Sequence, residues 1–166
     1  MRRLALGVVV AFVTAAACKP RDPAGPRTCE PLAVTVDGVP LPPLGHGLAR
    51  ANNMHGDISY EVQLTNQPGV TCEQLLSEAG RAVPDGEIMV RAFAGGAGLT
   101  GHGVGIDAHS QMGGAVTLLA KPRAIGDLVE VCVDHMSFTP IAGAYKGTHV
   151  TVSGRFAGAY CGEMTW

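Results

Sequence analysis

Two kinds of apolar pattern run along this chain. One is a block: residues 4–17, LALGVVVAFVTAAA, carry no charge and follow Arg2 and Arg3. The other is alternation. In residues 58–65, ISYEVQLT, Ile58, Tyr60, Val62 and Leu64 share one side, and Ser59, Glu61, Gln63 and Thr65 share the other. That is the period of a half-buried strand. Residues 32–41, LAVTVDGVPL, alternate around Val34 and Val36 and then offer Asp37-Gly38 as a hairpin turn. Pro40, Pro42 and Pro43 confine the returning arm to a short or edge strand. Residues 44–57, LGHGLARANNMHGD, have little period and read as a loop.

Further strands are expected at 87–94, after a Pro84-Asp85-Gly86 turn, and at 115–120 and 128–133, paired as a hairpin across PRAIGD. Residues 105–110 alternate briefly. Residues 148–161 close the domain, with Val150, Val152, Phe156 and Tyr160 on one face and His149, Thr151, Ser153 and Arg155 on the other. Gly154 and Gly158 within that run mark a bulge or a close backbone approach. One stretch has helical spacing: Cys72, Leu75, Leu76 and Ala79 fall on one face of a helix over 72–79. Thr71 and Gln74 give it a capping box, and Gly80 fits its end. Seven or eight short strands and one short helix predict an all-β fold, an antiparallel β-sandwich or barrel.

The apolar block changes the reading of everything after it. A basic start, a short apolar run and small residues at its end are the layout of a secretory signal. Fourteen residues are fewer than the ~20 that a membrane-spanning helix needs. Ala15-Ala16-Ala17-Cys18 resembles the lipobox of bacterial lipoproteins, with Ala15 where leucine is usual. The resemblance covers residues 1–18. It implies cleavage before Cys18 and a lipidated Cys18 that holds the protein to a membrane by burial of its acyl chains. Lys19, in place of the aspartate that commonly signals inner-membrane retention in that family, implies the outer membrane. The expected organisation is a signal peptide over 1–17, a lipidated cysteine and Pro-rich tether over 18–31, and a single β domain over 32–166. The tether holds four prolines and is extended and semi-rigid.

Cysteine usage fits an exported chain. With Cys18 lipidated, Cys29, Cys72, Cys132 and Cys161 remain, an even number that suggests two disulfides. Four cysteines allow three connectivities, and sequence does not choose among them; Cys72–Cys161 with Cys29–Cys132 is the pairing we favour. No C-x-x-C pair occurs, which argues against a cysteine-built metal site. Glycine, at 23 of 166 residues, favours strands joined by tight turns. The net charge of −2 becomes −4 once Arg2 and Arg3 are removed, and no basic stripe exists, so nucleic acid is not an expected partner.

Chemistry is weakly signalled. Residues 95–105, GGAGLTGHGVG, lack the G-x-G-x-x-G spacing of a dinucleotide site and the Lys-Ser/Thr of a P-loop, so no nucleotide cofactor is expected. Ser110 adjoins His109, and neighbours on a strand point apart, so they do not form a nucleophile–base pair. No G-x-S-x-G occurs. We therefore expect a non-enzymatic binding or structural module of the cell envelope, whose partner is an envelope protein or polysaccharide. Trp166 is the one tryptophan, which leaves few aromatic platforms for a sugar. The alternative is copper or zinc binding through His102, His109 and His135. Met54-His55 and His135-Met136, with His102 and Met112, resemble in kind the His/Met ligands of cupredoxin-like periplasmic copper chaperones. The gaps differ from that family, and its final His-x-Met is missing.

Overall fold

The structure is a computed structural model that describes residues 29–77, 88–95, 103–106, 115–140 and 145–165. Residues 1–28, with the signal-like block and Cys18, lie outside the described residues, as do the 84–86 turn, residues 107–110 and Trp166. The fold is all-β with one short helix. Nine strands occur among the described residues: β1 (Ala33–Val36), β2 (Val39–Pro40), β3 (His46–Met54), β4 (Asp57–Thr65), β5 (Met89–Gly95), β6 (Gly103–Ile106), β7 (Val116–Ala120), β8 (Leu128–Phe138) and β9 (Val150–Thr165). Helix α1 (Cys72–Leu76) lies between β4 and β5. The strands form one open sheet in the order β2-β1-β9-β3-β4-β5-β6, with β8 joining β9 and β7 joining β8. All pairs are antiparallel except β3 with β9, so the sheet is mixed rather than purely antiparallel.

The sixteen-residue strand β9 is the frame of this sheet. Its first residues pair with β1, residues 150–159 pair with β8, and residues 159–165 pair with β3. Val62, Leu64, Val90, Ala92 and Ala94 of the β4–β5 limb join Val116, Val129, Val131, Val133, Val150, Val152 and Phe156 of the β7–β8–β9 limb in one buried cluster. Two layers thus close on each other through the alternate apolar positions.

Gly154 and Gly158 sit where β9 changes neighbours. A Cβ on Gly154, whose φ is +102°, would lie 2.4 Å from the Pro31 carbonyl oxygen, and one on Gly158 would lie 2.6 Å from the Leu48 backbone. Both are the close backbone approaches that glycine permits. Gly158→Ala is expected to cost about 1–3 kcal/mol, because backbone must shift to admit the methyl group. Urea denaturation measures it, and a change under about 0.5 kcal/mol, the level of a neutral surface substitution, would contradict this packing.

Residues 44–57 are not the expected loop. They contain β3, and the reason its period was hidden is chemical. The side facing the main core carries Gly47, Ala49 and Ala51, too small to stand out, while the other side carries His46, Leu48, Arg50 and Asn52. Helix α1 has the expected capping box, with Gln74 N donating to Thr71 Oγ1 at 3.3 Å and Thr71 N donating to Gln74 Oε1 at 2.9 Å. It ends at Leu76, short of the expected 79, with Ser77 in extended conformation. The Leu75 carbonyl accepts from Arg50 Nη1 at 2.6 Å, a side-chain donor in the place where a continuing helix would supply a backbone N–H. Strand β8 outruns its expected end at 133 through a bulge at Asp134-His135, where His135 takes φ +39°.

Candidate functional site

The second face of β3–β4–β5 holds a cluster of buried polar side chains. Ser59, Glu61, Gln63 and Thr65 were expected on an exposed side, yet all four are buried, Glu61 to 2% exposure. Part of their cover is a second, smaller core in which Leu48, Val70, Leu75 and Cys161 pack with Cys72 and Leu76. The Cys72–Cys161 disulfide lies in this core and ties α1 to β9. At its edge, Arg50 donates to Glu61 Oε2 from Nε at 2.8 Å and from Nη2 at 2.7 Å. The Arg50 Nη1 group reaches the Leu75 carbonyl at 2.6 Å and Met164 Sδ at 2.8 Å. Arg91 Nη1 lies 4.0 Å from Glu61 Oε1. Gln63 Nε2 donates to Met89 Sδ. His46 Nε2 lies 2.9 Å from the Val70 carbonyl, which can only accept, so this nitrogen carries the proton.

One guanidinium therefore joins four elements: β3, β4, α1 and β9. A carboxylate gripped at one oxygen by two donors and faced at the other by a second guanidinium is a buried ion pair. The arrangement braces the molecule.

A different group of residues fastens the incoming chain. Cys29 is bonded to Cys132 on β8, with 5.9 Å between Cα atoms. Arg155 N donates to the Glu30 carbonyl at 2.9 Å, and Pro31 bridges Arg155 in parallel sense. Gly154 leaves room for the Pro31 carbonyl. The Arg155 guanidinium in turn holds Glu130 of β8. Residues 29–31, expected at the end of a tether, are thus riveted to β8 through Cys132 and to the backbone of β9 at Arg155. The two disulfides have the connectivity favoured from sequence and agree with an exported protein. No protein-family model, curated protein or solved structure matches this chain.

The β7–β8 turn is the third feature. Asp127 Oδ2 accepts from Arg123 N at 2.8 Å and Ala124 N at 2.9 Å. Those two N–H groups hold its carboxyl below the usual carboxylate range. Gly126 N donates to the Tyr160 carbonyl, and Tyr160 N to the Asp127 carbonyl, both at 2.8 Å. The turn is pinned to β9 just after its tip, through Gly126 and Asp127.

The histidines do not gather among the described residues. His102 and His109 lie outside them. His135 stands on the β8 bulge with its side chain 90% exposed, and its Nδ1 is 3.2 Å from Asp134 Oδ1. Among the described residues, no group of three His, Cys, Asp or Glu side chains is placed to hold a metal ion. Sequence reading missed Arg50 and the role of Glu61. One signal was available: a charged residue inside ISYEVQLT, opposite an arginine once the His55-Gly56 turn sets the register.

Proposed function

We propose that this chain is a lipoprotein of the bacterial cell envelope, held to the outer membrane through Cys18, whose β domain is a non-enzymatic binding or structural module. The observation that carries the reading is the junction at residues 29–31. A disulfide, a backbone hydrogen bond and a strand bridge secure the chain a few residues after a Pro-rich run, just where a load applied to the amino-terminal end would arrive. The signal-like block ending in Cys18 and the two disulfides support export into an oxidising compartment. Lys19 supports the outer membrane over the inner. Among the described residues, no helix is long and apolar enough to cross a membrane.

Expression in a bacterial host with labelled palmitate tests this reading. The wild type is expected to take up label and to fractionate with membranes. Cys18→Ser is expected to take up none. A wild type that incorporates no palmitate sinks the proposal.

A further inference from the structure

The β7–β8 turn carries an apolar tip that the fold does not use. Ile125 is 75% exposed and Leu128 is 55% exposed, the first the highest value among the large exposed hydrophobic side chains of the described residues. The tip cannot fold them away, because Asp127, Gly126 and Tyr160 fix its backbone. Exposed Lys121 and Arg123 flank it. The carboxylate of Asp127 is turned onto backbone N–H groups, and Glu130, on the adjoining strand, is engaged by Arg155.

The position of this tip matters as much as its composition. Leu128, Glu130 and Cys132 alternate with buried Val129, Val131 and Val133, so they share the outer face of β8. Leu128 and Cys132 are four residues apart, about 13 Å along a strand. Cys132 is where Cys29, the first described residue of the incoming chain, is bonded. Eleven residue steps separate Cys29 from Cys18, at most about 34 Å in polyproline geometry. Those steps carry Lys19, Arg21 and Arg27 against Asp22, in a mature chain that is otherwise acidic. Apolar side chains at a pinned tip, cations beside them, and a basic run of sequence that ends at a cysteine bonded to the same strand form the pattern of a peripheral contact with a negatively charged lipid surface.

We propose that residues 121–128 form a second membrane contact, inserting Ile125 and Leu128 into the interface of a bilayer that contains anionic phospholipid while Lys121 and Arg123 meet its headgroups. The inference rests on the anchored reading above and adds an orientation to it: the outer face of β8 lies against the membrane. The second contact fixes which face points away.

The test uses the full chain purified from host membranes, with Trp166→Phe removing the one native tryptophan and Ile125→Trp placing a fluorescent reporter at the tip. The protein is reconstituted into vesicles of brominated phosphatidylcholine and phosphatidylglycerol, and the mass of its amino-terminal peptide is measured on the same sample. Bromine is expected to quench the fluorescence of the tip reporter. Adding Lys121→Ser and Arg123→Ser is expected to weaken tip partitioning, by about five-fold for each cation. Absence of quenching overturns the proposal, and that is the outcome if a protein partner rather than lipid covers the tip. Quenching that is equal in phosphatidylcholine alone overturns the anionic-lipid component. The peptide mass reports separately on the anchor: a missing acyl mass defeats the lipoprotein reading whatever the reporter does.

Discussion

Glu61→Ala is expected to destabilise the protein by about 3 kcal/mol, the lower end of what breaking a buried ion pair costs. Glu61 is 2% exposed, so its loss leaves two guanidiniums facing a cavity. The Arg50 side chain retains 18% exposure, and this partial access to water is why the figure sits at the lower end. Arg50 also keeps the Leu75 carbonyl and Met164 as partners, but it loses the two bonds that hold its plane. For a domain of this size the midpoint of thermal unfolding should fall by about 10 °C. Glu61→Gln preserves shape and one acceptor and should cost less than Glu61→Ala.

The control is the other Arg–Glu pair. Glu130 and Arg155 have side chains 19% and 50% exposed, and Glu130→Ala should change stability by about 0–1 kcal/mol. Denaturant titration of both variants separates the two cases. If Glu61→Ala costs no more than Glu130→Ala, the Arg50–Glu61 brace is not a brace.

How far the fold could be read in advance follows from side-chain size. Strand β4 announces itself because Tyr60, Val62 and Leu64 are large and alternate with polar residues. Its partner β3 stays hidden because Gly47, Ala49 and Ala51 are small on the side that meets the main core. The turn between them was legible in principle. His55 and Gly56 both take positive φ, at 56° and 91°, which is what a two-residue hairpin turn of this hand requires. Placing that turn first pairs Met54 with Asp57 and, further along the outgoing and returning strands, Arg50 with Glu61. The polar side of β4 then ceases to be a solvent face. What no local pattern reveals is the parallel pairing of β3 with β9, because it joins segments more than a hundred residues apart and depends on β9 changing neighbours at Gly154 and Gly158. Those glycines were visible as interruptions in an apolar run. Which backbones would cross there was not.

The anchoring features divide in the same way. Cys18 and the Pro-rich run are visible as sequence. The Cys29–Cys132 bond at the junction is among the pairings the sequence allows, but the backbone part of the rivet is not visible, since Glu30 and Pro31 act through backbone carbonyls, and a carbonyl leaves no mark on residue identity. The same holds for the β7–β8 tip. Its turn was expected, but the exposure of Ile125 follows from the Asp127 cap and the Tyr160 contacts that fix the backbone beneath it.

A larger loss than that of Glu61→Ala is expected from Cys72→Ser with Cys161→Ser, about 4–5 kcal/mol as an upper figure. The bond closes a separation of 89 residues, and in the chain-entropy model its removal returns that freedom to the unfolded chain. Folded single domains hold only about 5–15 kcal/mol in total, so the double serine variant should be close to the edge of folding. Chain entropy gives the Cys29–Cys132 bond, with a separation of 103, a similar figure. The two bonds differ in what they hold. Cys161 is buried in the smaller core, beside Leu48, Val70 and Leu75, and its partner opens a helix of only five residues. A helix that short has no stability of its own in water. Without the bond, α1 keeps its place through Leu75, Val70 and the Arg50 hydrogen bond to the Leu75 carbonyl. Arg50 also reaches Met164, on the far side of Cys161 in β9. The disulfide and the Arg50 guanidinium therefore both link α1 to β9, and Glu61 holds the plane of that guanidinium, so the losses should not add. Glu61→Ala measured in the serine background should depart from the sum of the separate losses by more than about 0.5 kcal/mol, the coupling expected of residues that share partners. Simple additivity would mean that the buried charges and the bond support separate parts of the structure.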